Sequence, residues 1–168
     1  MITDNQKQEL WDLIKKIKIG MIVSHDADIL RARPMHIVQD SFDGTLYFFT
    51  KNSAGKVDEI KRDHEICIAF ADPEEDSYVS YSGRANITRD QDLIDKFWNP
   101  FVAAWFPEGK HDENVTLLEV KIHMAEMWDS DKSDMVQLYE FAKANITDSK
   151  PDMGENKKLI KGKMAKYL

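Results

Sequence analysis

Apolar residues recur along this chain at two spacings, and each spacing predicts an element. Over residues 3–18, Leu10, Leu13, Ile14 and Ile17 fall at i, i+3, i+4 and i+7, the stripe of an amphipathic packing helix. Thr3 and Gln6 stand at a capping-box spacing at its start. Residues 19–25 and 29–38 read as two strands joined by the turn His25-Asp26-Ala27-Asp28, hence a hairpin. A third strand over 45–50 alternates Leu46 and Phe48 with Tyr47 and Phe49, and a short helix follows with Val57 and Ile60 three apart. In 65–71, Ile66, Ile68 and Phe70 share a face. The clearest strand is 77–88, with Val79, Tyr81, Gly83, Ala85 and Ile87 inward and Tyr78, Ser80, Ser82, Arg84 and Asn86 on a polar face. Thr88 and Gln91 again make a capping box, before a helix carrying Leu93, Ile94, Phe97 and Trp98. A long strand over 115–128 places Leu118, Val120, Ile122 and Met124 together, and 131–146 has the spacing of a last helix. The pattern predicts a mainly β fold with flanking helices: six antiparallel strands curled into a barrel over residues 1–146, then a loosely held basic tail over 147–168.

Composition supports one globular domain, at 168 residues, 42% hydrophobic and 32% charged. No apolar run approaches the roughly 18 residues of a membrane span, so no membrane association is expected. The first ten residues lack the basic and apolar segments of a secretory signal. The single cysteine, Cys67, allows no internal disulfide and suits a reducing, cytoplasmic setting; in its strand it reads as a small buried hydrophobe. Net charge is −7, and five lysines with no acid fall within 157–166, so the remainder is more acidic still. That argues against a nucleic-acid partner. It also gives weight to each cation in the ordered region, because such a charge works against the overall field.

Two stretches gather such cations. After the strand 45–50, Asn52-Ser53-Ala54-Gly55-Lys56 is small and polar and leads into a helix start, where free backbone N–H groups converge. Thr50 and Ser53 add hydroxyls and Lys56 a mobile positive charge, so the stretch reads either as an anion site or as a plain connection capped by Ser53. In the strand 29–38, Arg31 and Arg33 share a face with Ile29, Met35 and Ile37, and Pro34 breaks the ladder. These arginines are either solvated on an edge strand or forks for a phosphate. Residues 99–110, NPFVAAWFPEGK, add Phe101, Trp105 and Phe106 to Trp98, as a core plug or as a cover for a planar ligand or partner. No metal-ligand spacing, nucleophile elbow, phosphate loop or dinucleotide fingerprint occurs, so chemistry here would come from a bound cofactor.

Taken in order, Ile29-Leu30-Arg31-Ala32-Arg33-Pro34-Met35, Leu46-Tyr47-Phe48-Phe49-Thr50 with Ser53 and Lys56, Ser80-Tyr81-Ser82-Gly83-Arg84, Phe97-Trp98-Asn99-Pro100 with Ala104-Trp105-Phe106-Pro107-Glu108-Gly109, and Ala125-Glu126-Met127-Trp128-Asp129 form a set. The set resembles the bacterial general stress protein branch of the pyridoxamine 5′-phosphate oxidase-like flavoproteins, from about Leu10 to about Ala144. The resemblance implies a six-stranded split β-barrel that binds FMN at the interface of a homodimer. By position, Arg31, Ser53 and Lys56 would hold the phosphate; Arg33, Pro34 and Met35 would line the isoalloxazine edge; Phe49 and Thr50 would touch the ring and ribityl chain. Ser82 and the Trp105 segment would arrive from the other subunit or close the site.

The resemblance implies a flavin-dependent oxidoreductase whose substrate it does not name. The vitamin B6 oxidases grip their substrate with a C-terminal Arg-x-His signature, and the last third of this chain has none, so oxidation of pyridoxamine phosphate is not expected. Other readings of the same site are a flavin reservoir or sensor without turnover, a barrel for FAD, a deazaflavin or haem (with His36 or His123 as the nearest axial ligands), and a dimeric barrel with no cofactor.

Overall fold

A computed structural model of the chain describes residues 4–129 and 155–160. Helix α1 (Asp4–Ile17) buries Leu10, Trp11 and Ile14 as its periodicity requires. Strands β1 (Ile19–Asp26) and β2 (Ile29–His36) form the expected hairpin, turned at Ala27 with φ of 54°. Next come β3 (Thr45–Lys51), α2 (Gly55–Arg62), β4 (Glu65–Asp72), β5 (Ser77–Thr88), α3 (Gln91–Phe97), α4 (Pro100–Ala103) and β6 (Val115–Asp129). The sheet runs β2-β1-β4-β5-β6-β3 with every pairing antiparallel, a six-stranded split barrel. Where a loose tail is expected, Glu155–Ile160 form β7, which pairs with the C-terminal end of β6. The expected helix over 131–146 lies outside the described residues. Among the described residues no helix is long and apolar enough to cross a membrane.

The sheet is curled by β6. Its residues 115–121 pair with β3 while 117–128 pair with β5, so one strand serves two neighbours. Between Gly83↔Ile122 and Ser82↔Met124 one residue, His123, is left over, which is a β-bulge. The bulge reverses the inward phase of β6. Leu118, Val120 and Ile122 are buried before it, and Ala125 and Met127 after it, while Met124 is only half-buried. Strict alternation from the sequence puts Met124 on the wrong side of that break.

Two cores result. The larger lies inside the curl, around Phe48, Ile68, Phe70 and Tyr81, and is closed at one end by α1. The smaller joins Ile94, Phe97, Val102, Phe106, Val115 and Leu117 beneath α3 and α4. The aromatic segment thus divides: Phe97 and Phe106 plug this core, while Phe101 and Trp105 stay 50% and 65% exposed. The cap of α3 also sits later than Thr88. Asp90 accepts from the N–H groups of Asp92 and Leu93, and Thr88 Oγ1 accepts from the N–H of Asp90.

The two end strands, β2 and β3, face each other without a ladder between them. Part of the exposed edge of β3 is satisfied by a side chain. Gln39 Nε2 donates to the carbonyls of Thr45 (2.6 Å) and Ser41 (3.0 Å), and its Oε1 accepts from the N–H of Tyr47 (2.8 Å). Farther along, the Lys51 carbonyl accepts from the N–H of Ala54 (2.9 Å), and the Phe49 backbone has no such bond outside the sheet among the described residues.

Gly83 sits at the bulge because nothing larger fits. A Cβ there would lie 2.9 Å from the carbonyl oxygen of Lys121 and 2.9 Å from Val120 Cγ1. A ladder carbonyl has no room to retreat, so Gly83→Ala is expected to cost about 1–3 kcal/mol. Urea unfolding monitored by tryptophan fluorescence reads it as a lowered midpoint with an unchanged slope.

Candidate functional site

The open part of the split is a groove of about 530 Å³, within the usual range for small-molecule sites. One wall is the end of β2, with Pro34, Met35 and His36, joined by Ile19. The other is the end of β3 and its exit, with Phe49, Thr50, Lys51, Ala54 and Lys56. Phe101, Val102, Trp105 and Phe106 form the floor and rim from the α4 segment. Pro34 lacks the N–H that would pair with a neighbouring strand, which suits a wall that must not close.

Thr50 lines this cleft but is only 4% exposed; its Oγ1 is buried without a hydrogen-bond partner, as is the Oγ1 of Thr116 directly opposite it on β6. An unpaired buried hydroxyl costs about 1–3 kcal/mol, so a ligand that bonds it recovers that loss. His36 also faces the groove. Its ring lies against Phe101, with centroids 4.5 Å apart, and its Nδ1 is 2.6 Å from the carbonyl of Ile37. A carbonyl can only accept, so Nδ1 carries the proton and Nε2 is left to meet a ligand.

One end of the groove is cationic. Lys56 is half-buried, and its ammonium titrates below the ordinary lysine range; burial is the main cause, followed by the Arg33 guanidinium, while Glu59 pulls the other way. The N-cap of α2 is Ala54, whose side chain makes no capping hydrogen bond. Ser53 is exposed in the preceding turn and does not serve as the N-cap.

Behind Lys56 lies an ionic cluster on a buried carboxylate. Glu59, 2% exposed, accepts from Arg33 Nη2 and, at 2.8 Å, from Ser24 Oγ. Arg33 Nη1 donates to Ser24 Oγ at 2.9 Å, and Arg31 Nη1 lies 3.5 Å from Glu59 and 2.9 Å from Asp26. The cluster ties α2 to both strands of the β1–β2 hairpin, and so fixes one groove wall against the other.

Of the residues expected at a site, Pro34, Met35, Phe49, Thr50, Lys56 and Trp105 come together around the groove. Arg31 and Arg33 lie behind it, engaged with Glu59. Ser53 is near the cationic end but outside the lining, and Ser82 lies on β5, opposite Cys67 and Met124. Sequence reasoning did not reach Ile19, Lys51 or Glu59. For Glu59 the available signal was a carboxylate between Val57 and Ile60 on a helix whose inward stripe those two residues mark.

The sequence profile of the family described as pyridoxamine 5′-phosphate oxidase like matches residues 5–152. The chain belongs to this family. Within it, the chain falls in the general stress protein 26 branch. General stress protein 26 of Bacillus subtilis is 29% identical over 118 residues, covering 68% of this chain and 82% of that protein. Protein bli-3 of Neurospora crassa is 29% identical over 155 residues, covering 86% and 74%. Among solved structures, one assigned to general stress protein 26 of Jannaschia sp. CCS1 superposes with a TM-score of 0.72 at 27% identity, covering 94% of this chain and 99% of that one. The general stress FMN/FAD binding protein of Xanthomonas citri superposes with a TM-score of 0.70 at 27% identity, covering 78% and 93%.

For this family member the ionic cluster makes a graded prediction. Arg33→Ala strands a buried carboxylate and is expected to cost about 3 kcal/mol of stability. Arg31→Ala removes a half-exposed partner and costs clearly less. Paired chemical denaturation curves at neutral pH test the order.

Proposed function

We propose that this chain is an FMN-binding flavoprotein acting as an oxidoreductase, with the groove between β2 and β3 as the flavin site. The observation that carries the reading is the groove itself: largely apolar walls, the unpaired Thr50 hydroxyl just beneath them, and Lys51 and Lys56 where the chain leaves β3 for α2. That division matches a ligand with a flat ring, a polyhydroxyl chain and a terminal phosphate. The 27% identical Xanthomonas citri protein, named for FMN/FAD binding, supports the choice of a flavin.

In this reading Lys56 binds the phosphate, with Ser53 from the preceding turn and Arg31 from behind the groove. Thr50 Oγ1 donates to the ribityl chain. Backbone groups of Pro34 and Met35 meet the ring edge, with Arg33 behind them, and Phe49 packs on the ring. When bound, FMN supplies a reversible acceptor of a hydride or of single electrons. The chain's own part is to orient the ring, to exclude water with Phe101, Trp105 and Phe106, and to offer the His36 ring as a polar contact at the groove wall. Substrate capture of the vitamin B6 oxidase kind is not part of the proposal, since the chain has no arginine after Arg89.

We also assign the active unit to a homodimer. Ile19, Met21, Ile29 and Leu30 are 52%, 40%, 59% and 66% exposed on one hairpin, and Phe101 and Trp105 extend the apolar surface at the groove rim. A second copy is the covering expected there, bringing its own Ser82 or Trp105 segment to close the groove. Sedimentation equilibrium is expected to give twice the chain mass, and Leu30→Glu to shift the protein toward monomer. A monomeric wild type would remove this assignment.

The flavin reading is tested by reconstitution. Purified protein offered FMN is expected to bind about one equivalent per chain with a perturbed visible spectrum. The double variant Lys56→Ala with Arg31→Ala is expected to stay folded and lose most of it, at least about tenfold in affinity. Undiminished FMN retention in that variant would move the phosphate elsewhere.

A further inference from the structure

The buried carboxylate of Glu59 has a position that stability alone does not explain. A buried ion pair gains little over a neutral side chain of the same shape, and losing either partner is expensive. Yet Arg33 pairs with this one acid, Arg31 approaches it to 3.5 Å, and Lys56 lies within reach of its charge. Its Oε1 lies 3.9 Å from the point a Cβ on Gly55 would occupy, against the first turn of α2 and beside Lys56. A carboxylate accepting from Arg33 and approached by Arg31 at the start of a helix has the donors that a phosphate takes.

We propose that Glu59 is an internal anion standing in for the ligand's phosphate, and that its charge sets how tightly a phosphate-bearing ligand is kept. The proposal rests on the reading of the groove as an FMN site. When the phosphate arrives, the guanidinium groups are shared between two anions rather than released from water to one. The result is a site that recognises phosphate yet gives it up. In an acidic protein, that makes Glu59 a specificity and retention device rather than a strut alone. Asp26, which holds Arg31 at 2.9 Å, works in the same direction from the exposed side.

The test compares FMN with riboflavin, which has the same ring and chain without the phosphate. Glu59→Gln keeps the shape: its amide oxygen can accept from Arg33 and its NH2 can donate to Ser24 Oγ, while one negative charge is gone. Affinity for FMN is expected to rise on the order of tenfold, and affinity for riboflavin to stay put, so the ratio of the two dissociation constants moves by that factor. Glu59→Asp is made alongside, because it keeps the charge but draws it back from Arg33 by one methylene. It is expected to move the ratio the same way by less. Flavin fluorescence quenching gives both constants, and circular dichroism confirms the fold. An unchanged or reduced FMN-to-riboflavin preference in the folded variants overturns the proposal while leaving the groove reading intact. A wild type that binds neither flavin overturns the groove reading, and this one with it.

Discussion

The fold depends on a sheet that curls through most of a barrel and is kept from closing. β6 supplies the curl by pairing with β3 and β5 over overlapping stretches, and the bulge at His123 lets it bend without losing its inward face. The end strands then stand opposite each other with Pro34 in one and the Phe49–Lys51 edge in the other. Among the described residues no side chain fills the gap, since Phe97 and Phe106 are spent on the second core and Phe101 and Trp105 remain at the surface. A ligand-sized opening is therefore a direct outcome of strand pairing.

Charge is arranged on the same frame. The protein is acidic overall, and its cations at the groove are balanced from within by Glu59 and Asp26. Burial of Lys56 next to Arg33 is tolerable only because an acid shares the space, as the opposing influences on the lysine indicate. The site's electrostatics and the attachment of α2 to the β1–β2 hairpin are one interaction seen from two sides. The charge of Glu59 bears on the anion affinity, and its hydrogen bonds to Ser24 and Arg33 hold α2 to the hairpin.

Much of this was legible in the chain. Periodicity of two picked out all six barrel strands, and periodicity near 3.6 picked out α1, because a single buried face imposes both. The motif order led to the split barrel and to six of the groove residues. Three features escaped for physical reasons. The cap at Asp90 competes locally with the equally plausible Thr88, and the geometry of the preceding strand decides. The reversal in β6 depends on Gly83 across the ladder, which strict alternation within one strand ignores. Glu59 meets its partners across sequence separations of 26, 28 and 35 residues, so its place between Val57 and Ile60 hints at burial while nothing local points to the partners.

Gln39 also guards the molecule against its own copies. An open sheet margin is a template on which another chain can add a strand, and a barrel left ajar invites fibril-like growth at its seam. By occupying the hydrogen-bonding groups of Thr45 and Tyr47, one amide side chain blunts the half of that margin where no ligand would sit. The molecule can thus keep its mouth open for a small guest while denying a foothold to a neighbouring polypeptide.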